Sequence, residues 1–305
     1  MAFLPFFISK QKRLKVVIIG GGYAGIAALT TLLRYAPDSC ITLIDPKTHH
    51  IKITHLHETF RHPLVDLLVP FTDIEKRYGC RHIPASVHFD AEELQRCQQT
   101  KHLVVNDESL HFDYLLVASG CENRISDRAE NVLNLQDFAA SAGSELLMPL
   151  LESNHQSEQS ISVVGGGATG IQFLFEIKQF LSRKKSKATL RLIHSGEQVL
   201  EQFPRGFDTY VQSRMQELNI AFYPNTYYRG QQSNTILLAE KHTQKHIELS
   251  SGLTILFLGK SQRTSYTANA FGQILIDQTP LPNIFVAGDC SVYRSVGSNT
   301  LTAQS

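Results

Sequence analysis

Two stretches of this chain repeat one pattern: Val16–Gly25 reads VVIIGGGYAG and Ile161–Gly170 reads ISVVGGGATG. Each is an apolar run that breaks into glycines and leads into a further apolar stretch, Ile26–Leu33 in the first case and a segment reaching Leu181 in the second. β-Branched residues followed by glycines read as a buried strand, a tight turn and the start of a helix. Gly20, Gly22 and Gly25, and again Gly165, Gly167 and Gly170, are spaced as GxGxxG. The first glycine permits the turn, the second lets a pyrophosphate approach the backbone, and the third lets the helix pack closely. A helix N-terminus then faces the phosphates. Two such units predict a pair of dinucleotide-binding folds.

The strand that follows each unit tests the pattern. Cys40–Asp45 (CITLID) ends in an acid at the distance where a carboxylate accepts both ribose hydroxyls of an adenosine. Thr189–His194 (TLRLIH) ends instead in His194. A neutral or cationic imidazole cannot accept two hydroxyls as a carboxylate does, but it tolerates or favours a 2′-phosphate, which points to NADPH over NADH. A surface histidine in a site that has lost its acid is the competing reading.

Composition bounds the rest. The 305 residues, 42% hydrophobic and 19% charged, suit two domains or one large one with sizeable cores. A formal net charge of +1, with both signs mixed along the chain, leaves no electrostatic footprint for nucleic acid. Cys40, Cys80, Cys97, Cys121 and Cys290 are scattered and contain no CxxC pair, which argues against a disulfide scaffold, a zinc knuckle or a dithiol centre and fits a reducing cytoplasm. Ala2–Ile8 (AFLPFFI) is too short for a membrane span and precedes its basic residues, so it is no signal peptide. With Lys10, Lys12, Arg13 and Lys15 it suits either a peripheral contact on the inner face of a membrane or a packed terminal arm. His49, His50, His55, His57 and His62 are dense, but no carboxylate or cysteine spacing completes a ligand set, so a loop and helix start, without metal, is expected.

Val87–Phe89, Lys101–Val105 and Leu110–Ser119 read as short strands, the last delivering Gly120 to a surface. Glu122–Gln159 is mixed and polar, with Ser153–Ser160 as a linker. Phe207–Leu218 has helical periodicity, Ile220–Tyr223 is a short strand, Thr235–Ala239 and His246–Leu249 form a hairpin, and Thr254–Gly259 closes the second unit. Asn283–Asp289 (NIFVAGD) is a buried strand ending on an exposed acid.

In order, GGGYAG, LID, FDYLLVASG, GGGATG, LIHS, TILFLG and NIFVAGDC resemble the two-dinucleotide flavoproteins of the pyridine nucleotide-disulfide oxidoreductase superfamily. Within it, the chain looks most like type II NADH dehydrogenases and apoptosis-inducing-factor-like quinone reductases. The resemblance implies an α/β fold of two Rossmann-like, three-layer ββα domains, the NAD(P) domain (123–259) inserted in a split FAD domain (1–122 and 260–305). It implies that FAD is held by Gly20, Gly22, Tyr23, Ala24 and Gly25 at its pyrophosphate, by Asp45 with Pro46 at the adenosine ribose, and by Gly288 and Asp289 at the ribityl chain. His50, Thr54, Ala118, Ser119 and Gly120 belong to the same site; His50, Thr54 and Glu58 stand where type II dehydrogenases carry a histidine, a proline and a glutamate. NADH or NADPH is then held by Gly165, Gly167, Ala168, Thr169, Gly170, His194 and Gly259. Gln172, where the family often has a glutamate, and Glu176 are the candidates for orienting the nicotinamide; Phe175 stands where a small residue is usual. TAQS at Thr302–Ser305 resembles the start of a quinone-lining motif, and the family continues from there into a C-terminal domain with membrane or dimer contacts.

The implied activity is hydride transfer from NAD(P)H to flavin and on to a quinone-like acceptor; the oligomeric state is left open by the sequence, with a homodimer as one candidate. Cys121, just after the ASG segment, prompts a sulfide:quinone oxidoreductase reading. His194, Gln172 and Phe175 also fit a non-catalytic or truncated dinucleotide-binding or redox-sensing protein.

Overall fold

In a computed structural model, which describes residues 13–123, 129, 131–152, 160–261, 265–294 and 301–302, the chain divides into two units. The first comprises residues up to His50, Val69–Cys121 and the stretch from Gln262 onward; the second comprises Ile51–Leu68 and Glu122–Ser261.

The first unit is built on the strand Lys15–Ile19, whose Val16, Val17, Ile18 and Ile19 are all buried. A run buried on both faces belongs in the middle of a parallel sheet covered on each side. Here it pairs in parallel with Cys40–Ile44 on one edge and Tyr114–Val117 on the other. Arg81–Ile83 and Thr279–Val286 extend the parallel sheet outward, and Gln273–Ile276 continues it antiparallel. Val17, Ile19, Leu115, Val117, Ile284 and Val286 face one apolar layer, whereas Val16, Ile18, Leu29, Leu43 and Phe71 face the other. This alternation is the period of two that a strand imposes.

The second unit repeats the plan. Ser160–Val164 lies centrally, with Thr189–Ile193 and then Ala221–Tyr223 on one side and Leu253–Leu256 and then Val132–Asn134 on the other, all parallel. A three-stranded antiparallel meander, Thr226–Gln232, Thr235–Glu240 and His246–Ser250, follows. The α/β architecture of two parallel dinucleotide-fold sheets thus agrees with the expected fold class.

Local expectations fared unevenly. Val87–Phe89 forms no strand: the Phe89 carbonyl accepts the Tyr266 hydroxyl at 3.1 Å instead of joining a ladder. The single strand read over Leu110–Ser119 is two, Glu108–His111 and Tyr114–Val117. Within the polar stretch after Glu122 lie the helices Leu135–Ala140 and Gly143–Glu152, the first opened by a capping box of Asn134 and Asp137. The histidine-rich segment is divided: His49 and His50 lie in the first unit, in the strand His49–Ile51, whereas His55 and His57 lie in the 3-10 helix Ile53–Phe60, which belongs to the second unit. Its Leu56 and Phe60 join Phe138, Phe173 and Phe180 in one buried cluster, and the Thr59 hydroxyl accepts the Gly143 N–H at 2.8 Å. Burial of these side chains outweighs chain proximity.

No helix among the described residues is long and apolar enough to cross a membrane. Ala2–Ile8, Ser153–Gln159 and Ala303–Ser305 lie outside the described residues.

Candidate functional site

Each unit carries a glycine cradle at the carboxyl end of its central strand, and the two cradles have nearly the same geometry. Gly20 and Gly165 sit at φ +103° and +115°, where side chains are strained, and a Cβ on either would lie 2.3 Å from a carbonyl oxygen, that of Ala118 or of Phe257. A Cβ on Gly25 or Gly170 would lie 1.9 Å from the carbonyl of Gly20 or Gly165, so the helix touches the turn through bare backbone. Gly22 and Gly167 are different. Among the described residues nothing lies within 4 Å of a Cβ built on either, so the space above them is open.

Gly22 and Gly167 also cap the helices Tyr23–Tyr35 and Ala168–Arg183 without any side-chain hydrogen bond, and neither first turn holds an acid. A glycine cap leaves the first N–H groups uncovered, and the macrodipole adds partial positive charge there. Open space, a helix N-terminus without a side-chain cap and no competing carboxylate in the first turn make each cradle fit a dinucleotide pyrophosphate.

The middle glycine of each triplet was not singled out from sequence, yet it organises the site. Gly21 is underpinned by Phe71, whose ring would lie 2.2 Å from a Cβ there. Its N–H donates to Asp45 Oδ2 at 2.7 Å, and its carbonyl accepts His50 Nδ1–H at 2.8 Å. Phe71 stacks on His82 at 4.4 Å, and His82 Nε2 donates to the Asp45 carbonyl at 3.0 Å. Asp45 Oδ1 also accepts the Lys47 N–H at 2.8 Å. Asp45 is therefore fixed by the backbone with acceptor capacity left over, since a carboxylate has about four lone-pair sites. In the second unit Gly166 N–H donates to His194 Nδ1 at 3.1 Å. The signal available in sequence was the triple glycine in both motifs, one more glycine than GxGxxG demands.

The structure brings together most residues expected at the first cradle. Gly288, at φ +76°, packs on Ala24, whose Cβ would lie 2.7 Å from a Cβ at 288, and so seats Asp289 by the first helix. Asp289 is half-buried rather than exposed, with Cys121 Sγ 3.9 Å from its Oδ2. Tyr23 meets His50 edge-on at 5.0 Å. Pro46 and Ser119 are exposed, and Gly120, at φ +73°, borders open space, as does Gly259 at φ +81° in the second unit. Ala168 and Thr169 open the second helix. Thr54 is not part of the first unit; it lies in Ile53–Phe60.

Of the two residues named for the nicotinamide, Gln172 is exposed one turn into the second helix. Glu176 is paired: Arg61 donates to both of its oxygens, at 2.9 and 3.0 Å, and 13% of the Glu176 side chain is exposed. No group of three or more His, Cys, Asp or Glu among the described residues is arranged to hold a metal ion.

Two cradled dinucleotide units on parallel sheets define a class of nucleotide-dependent redox proteins. The chain belongs to the pyridine nucleotide-disulphide oxidoreductase family, which matches it over residues 14–305. It is 25% identical over 317 residues to the type II NADH:quinone oxidoreductase of Staphylococcus aureus strain NCTC 8325, covering 94% of this chain and 77% of that protein. Among solved structures, NDH2 from Plasmodium falciparum in complex with NADH superposes with a TM-score of 0.76 at 18% identity, over 92% of this chain. The sulfide:quinone oxidoreductase of Aquifex aeolicus gives 0.74 at 18% identity, over 91%. The chain spans 65% of the Plasmodium protein and 68% of the Aquifex protein.

Proposed function

We propose that this chain is an FAD-dependent oxidoreductase that takes hydride from NADH or NADPH and passes the electrons to a quinone-like acceptor. The observation that carries the reading is the duplicated cradle, with open space over Gly22 and Gly167 in otherwise close-packed turns. The first unit is the FAD site and the second the nicotinamide-nucleotide site, because the acid suited to an adenosine ribose, Asp45, is in the first. FAD, when bound, supplies the chemistry by accepting a hydride and giving up two electrons to the acceptor.

The residues' own tasks are binding and orientation. Gly22 and the N–H groups of the first helix turn receive one pyrophosphate, and Gly167 with the second helix turn receives the other. Asp45, pinned by Gly21 and Lys47, accepts ribose hydroxyls at its remaining lone pairs. Asp289, brought in by the glycine turn at 288, presents a carboxylate to the ribityl hydroxyls. Gln172 is open to hydrogen-bond a carboxamide, whereas Glu176 anchors the Ile53–Phe60 segment through Arg61. The sulfide reading is less favoured. Cys290 is fully buried, its Sγ directed at the Val117 and Ala287 carbonyls, and so offers no second thiol beside Cys121.

The test is the visible absorption spectrum of the purified protein, followed by anaerobic addition of NADH and then NADPH. Flavin bands that bleach, with reoxidation by a soluble quinone, support the proposal. A protein that takes up no FAD refutes it, and flavin bands unchanged by both nucleotides point to the binding or sensing role.

A further inference from the structure

Asp45 and His194 occupy equivalent places, each at the end of the strand beside the central one and each accepting the N–H of the middle glycine. They differ in what is left over. A neutral imidazole that accepts at Nδ1 carries its proton at Nε2, so no acceptor remains for a ribose hydroxyl. The ring also hydrogen-bonds the Gln198 backbone, and burial holds its pKa below the ordinary 6.5, which keeps it uncharged near neutral pH. His194 therefore neither accepts a diol nor attracts a phosphate.

The chain beyond His194 supplies what it lacks. Leu200 is buried and sits at φ +54°, a left-handed conformation that leucine rarely adopts. Its N–H donates to the Gly166 carbonyl at 2.8 Å, so this unusual turn is clamped to the same glycine whose N–H rests on His194. The next residue is Glu201. Its carboxylate lies over Gly196, where a Cβ would fall 2.0 Å from Glu201 Oε1 and 2.9 Å from His194 Nε2. Glu201 is exposed and, among the described residues, its carboxylate has no hydrogen bond or ion pair, so its acceptor sites are open. Lys241 also acts on the His194 ring, but more weakly than Glu201 does.

We propose that Glu201 selects the nucleotide of the second unit: its carboxylate accepts the adenosine ribose diol in place of the acid absent at position 194 and repels a 2′-phosphate, so NADH is preferred to NADPH. This rests on the assignment of a nicotinamide dinucleotide to the second unit. A 2′-phosphate carries roughly −1.5 to −2 charges near neutral pH, so a fixed carboxylate beside it discriminates strongly.

ADP-ribose and its 2′-phosphate, which cannot reduce a flavin, are titrated calorimetrically into the FAD-loaded full chain. Wild type is expected to bind ADP-ribose at least ~10-fold tighter. Glu201→Gln, which removes no bond that holds the fold, is expected to keep the wild-type melting temperature and bring the ratio to about 3-fold or less. Adding His194→Asp to Glu201→Gln is expected to restore the preference, because the acid then stands where Asp45 stands in the first unit. Equal affinities in wild type, or an unchanged ratio in Glu201→Gln, overturn the role of Glu201 and leave the dinucleotide site in place. Failure of both ligands to bind overturns the site and the role together.

Discussion

The contrast between Gly22 and Gly25 lets the two uses of glycine in one cradle be measured separately. In Gly25→Ala the new methyl must recede from 1.9 Å to at least 3.0 Å from the Gly20 carbonyl, so the first helix moves about 1.1 Å off the turn. Both sides of that contact are backbone, and no side-chain rotation relieves it. Overpacking of this kind costs ~3 kcal/mol, offset by ~1 kcal/mol for replacing glycine by alanine inside a helix. The expected net loss is about 2 kcal/mol, or a fall in melting temperature of roughly 3 °C for a chain of this size.

Gly22→Ala should behave in the opposite way. Its φ of −73° and ψ of −170° suit alanine, and the methyl enters empty space, so the stability cost should be only that of alanine against glycine at an N-cap, about 0.5–1 kcal/mol. The methyl stands, however, where the pyrophosphate approaches, and a steric cost of ~1.4–2.8 kcal/mol there weakens FAD binding by about 10- to 100-fold. The assay is thermal unfolding of the FAD-free variants by circular dichroism, with FAD titration of Gly22→Ala followed by flavin fluorescence. A Gly25→Ala protein as stable as wild type would refute the close backbone approach. A stable Gly22→Ala protein that binds FAD with unaltered affinity would refute the placement of the pyrophosphate.

Three further outcomes follow from the second unit and from Cys121. Arg61→Ala removes the two-pronged pair with Glu176, so stability should fall by about 1 kcal/mol and limited proteolysis should cut the Ile53–Phe60 region faster than in wild type. His57 and His194 are both held below 6.5, by burial first, so the unfolded chain binds more protons than the folded one as pH falls below that value. Stability is then complete above about pH 6.5 and declines toward acid, by less than the ~1.4 kcal/mol per pH unit of a fully coupled group because both rings are half-exposed to screening solvent. His194→Asn, whose amide oxygen still accepts the Gly166 N–H, should lessen that decline in urea midpoints compared at pH 7.5 and 5.5. Cys121→Ser should leave NAD(P)H oxidation intact, since the thiol, whose Sγ lies 3.9 Å from Asp289 Oδ2, is assigned no redox step; loss of turnover would revive the sulfide reading.

Sequence and structure agree where the determinants are local. The two glycine runs, the buried strands before them and the acid or imidazole after them are short-range patterns, and backbone sterics give each of them a single solution. What was illegible depends on distant partners. Nothing near Glu176 in the chain announces Arg61, which comes from a segment 115 residues away, so the carboxylate named for the nicotinamide also pairs with the residue that follows Ile53–Phe60. That segment follows the first cradle in sequence, yet its apolar face of Leu56 and Phe60 finds Phe138, Phe173 and Phe180, and a Cβ on Gly143 would lie 2.7 Å from the Phe60 ring. Thr54 was assigned to the FAD site through its match to a motif position of type II dehydrogenases, and nothing in the sequence showed that it lies in a helix whose Phe60, six residues on, is buried in the core of the second unit. His194 shows the same limit at shorter range. The missing acid was visible in the sequence, but the left-handed Leu200 that swings Glu201 over Gly196 is a property of the backbone, set by a hydrogen bond to Gly166 that no residue type encodes by itself.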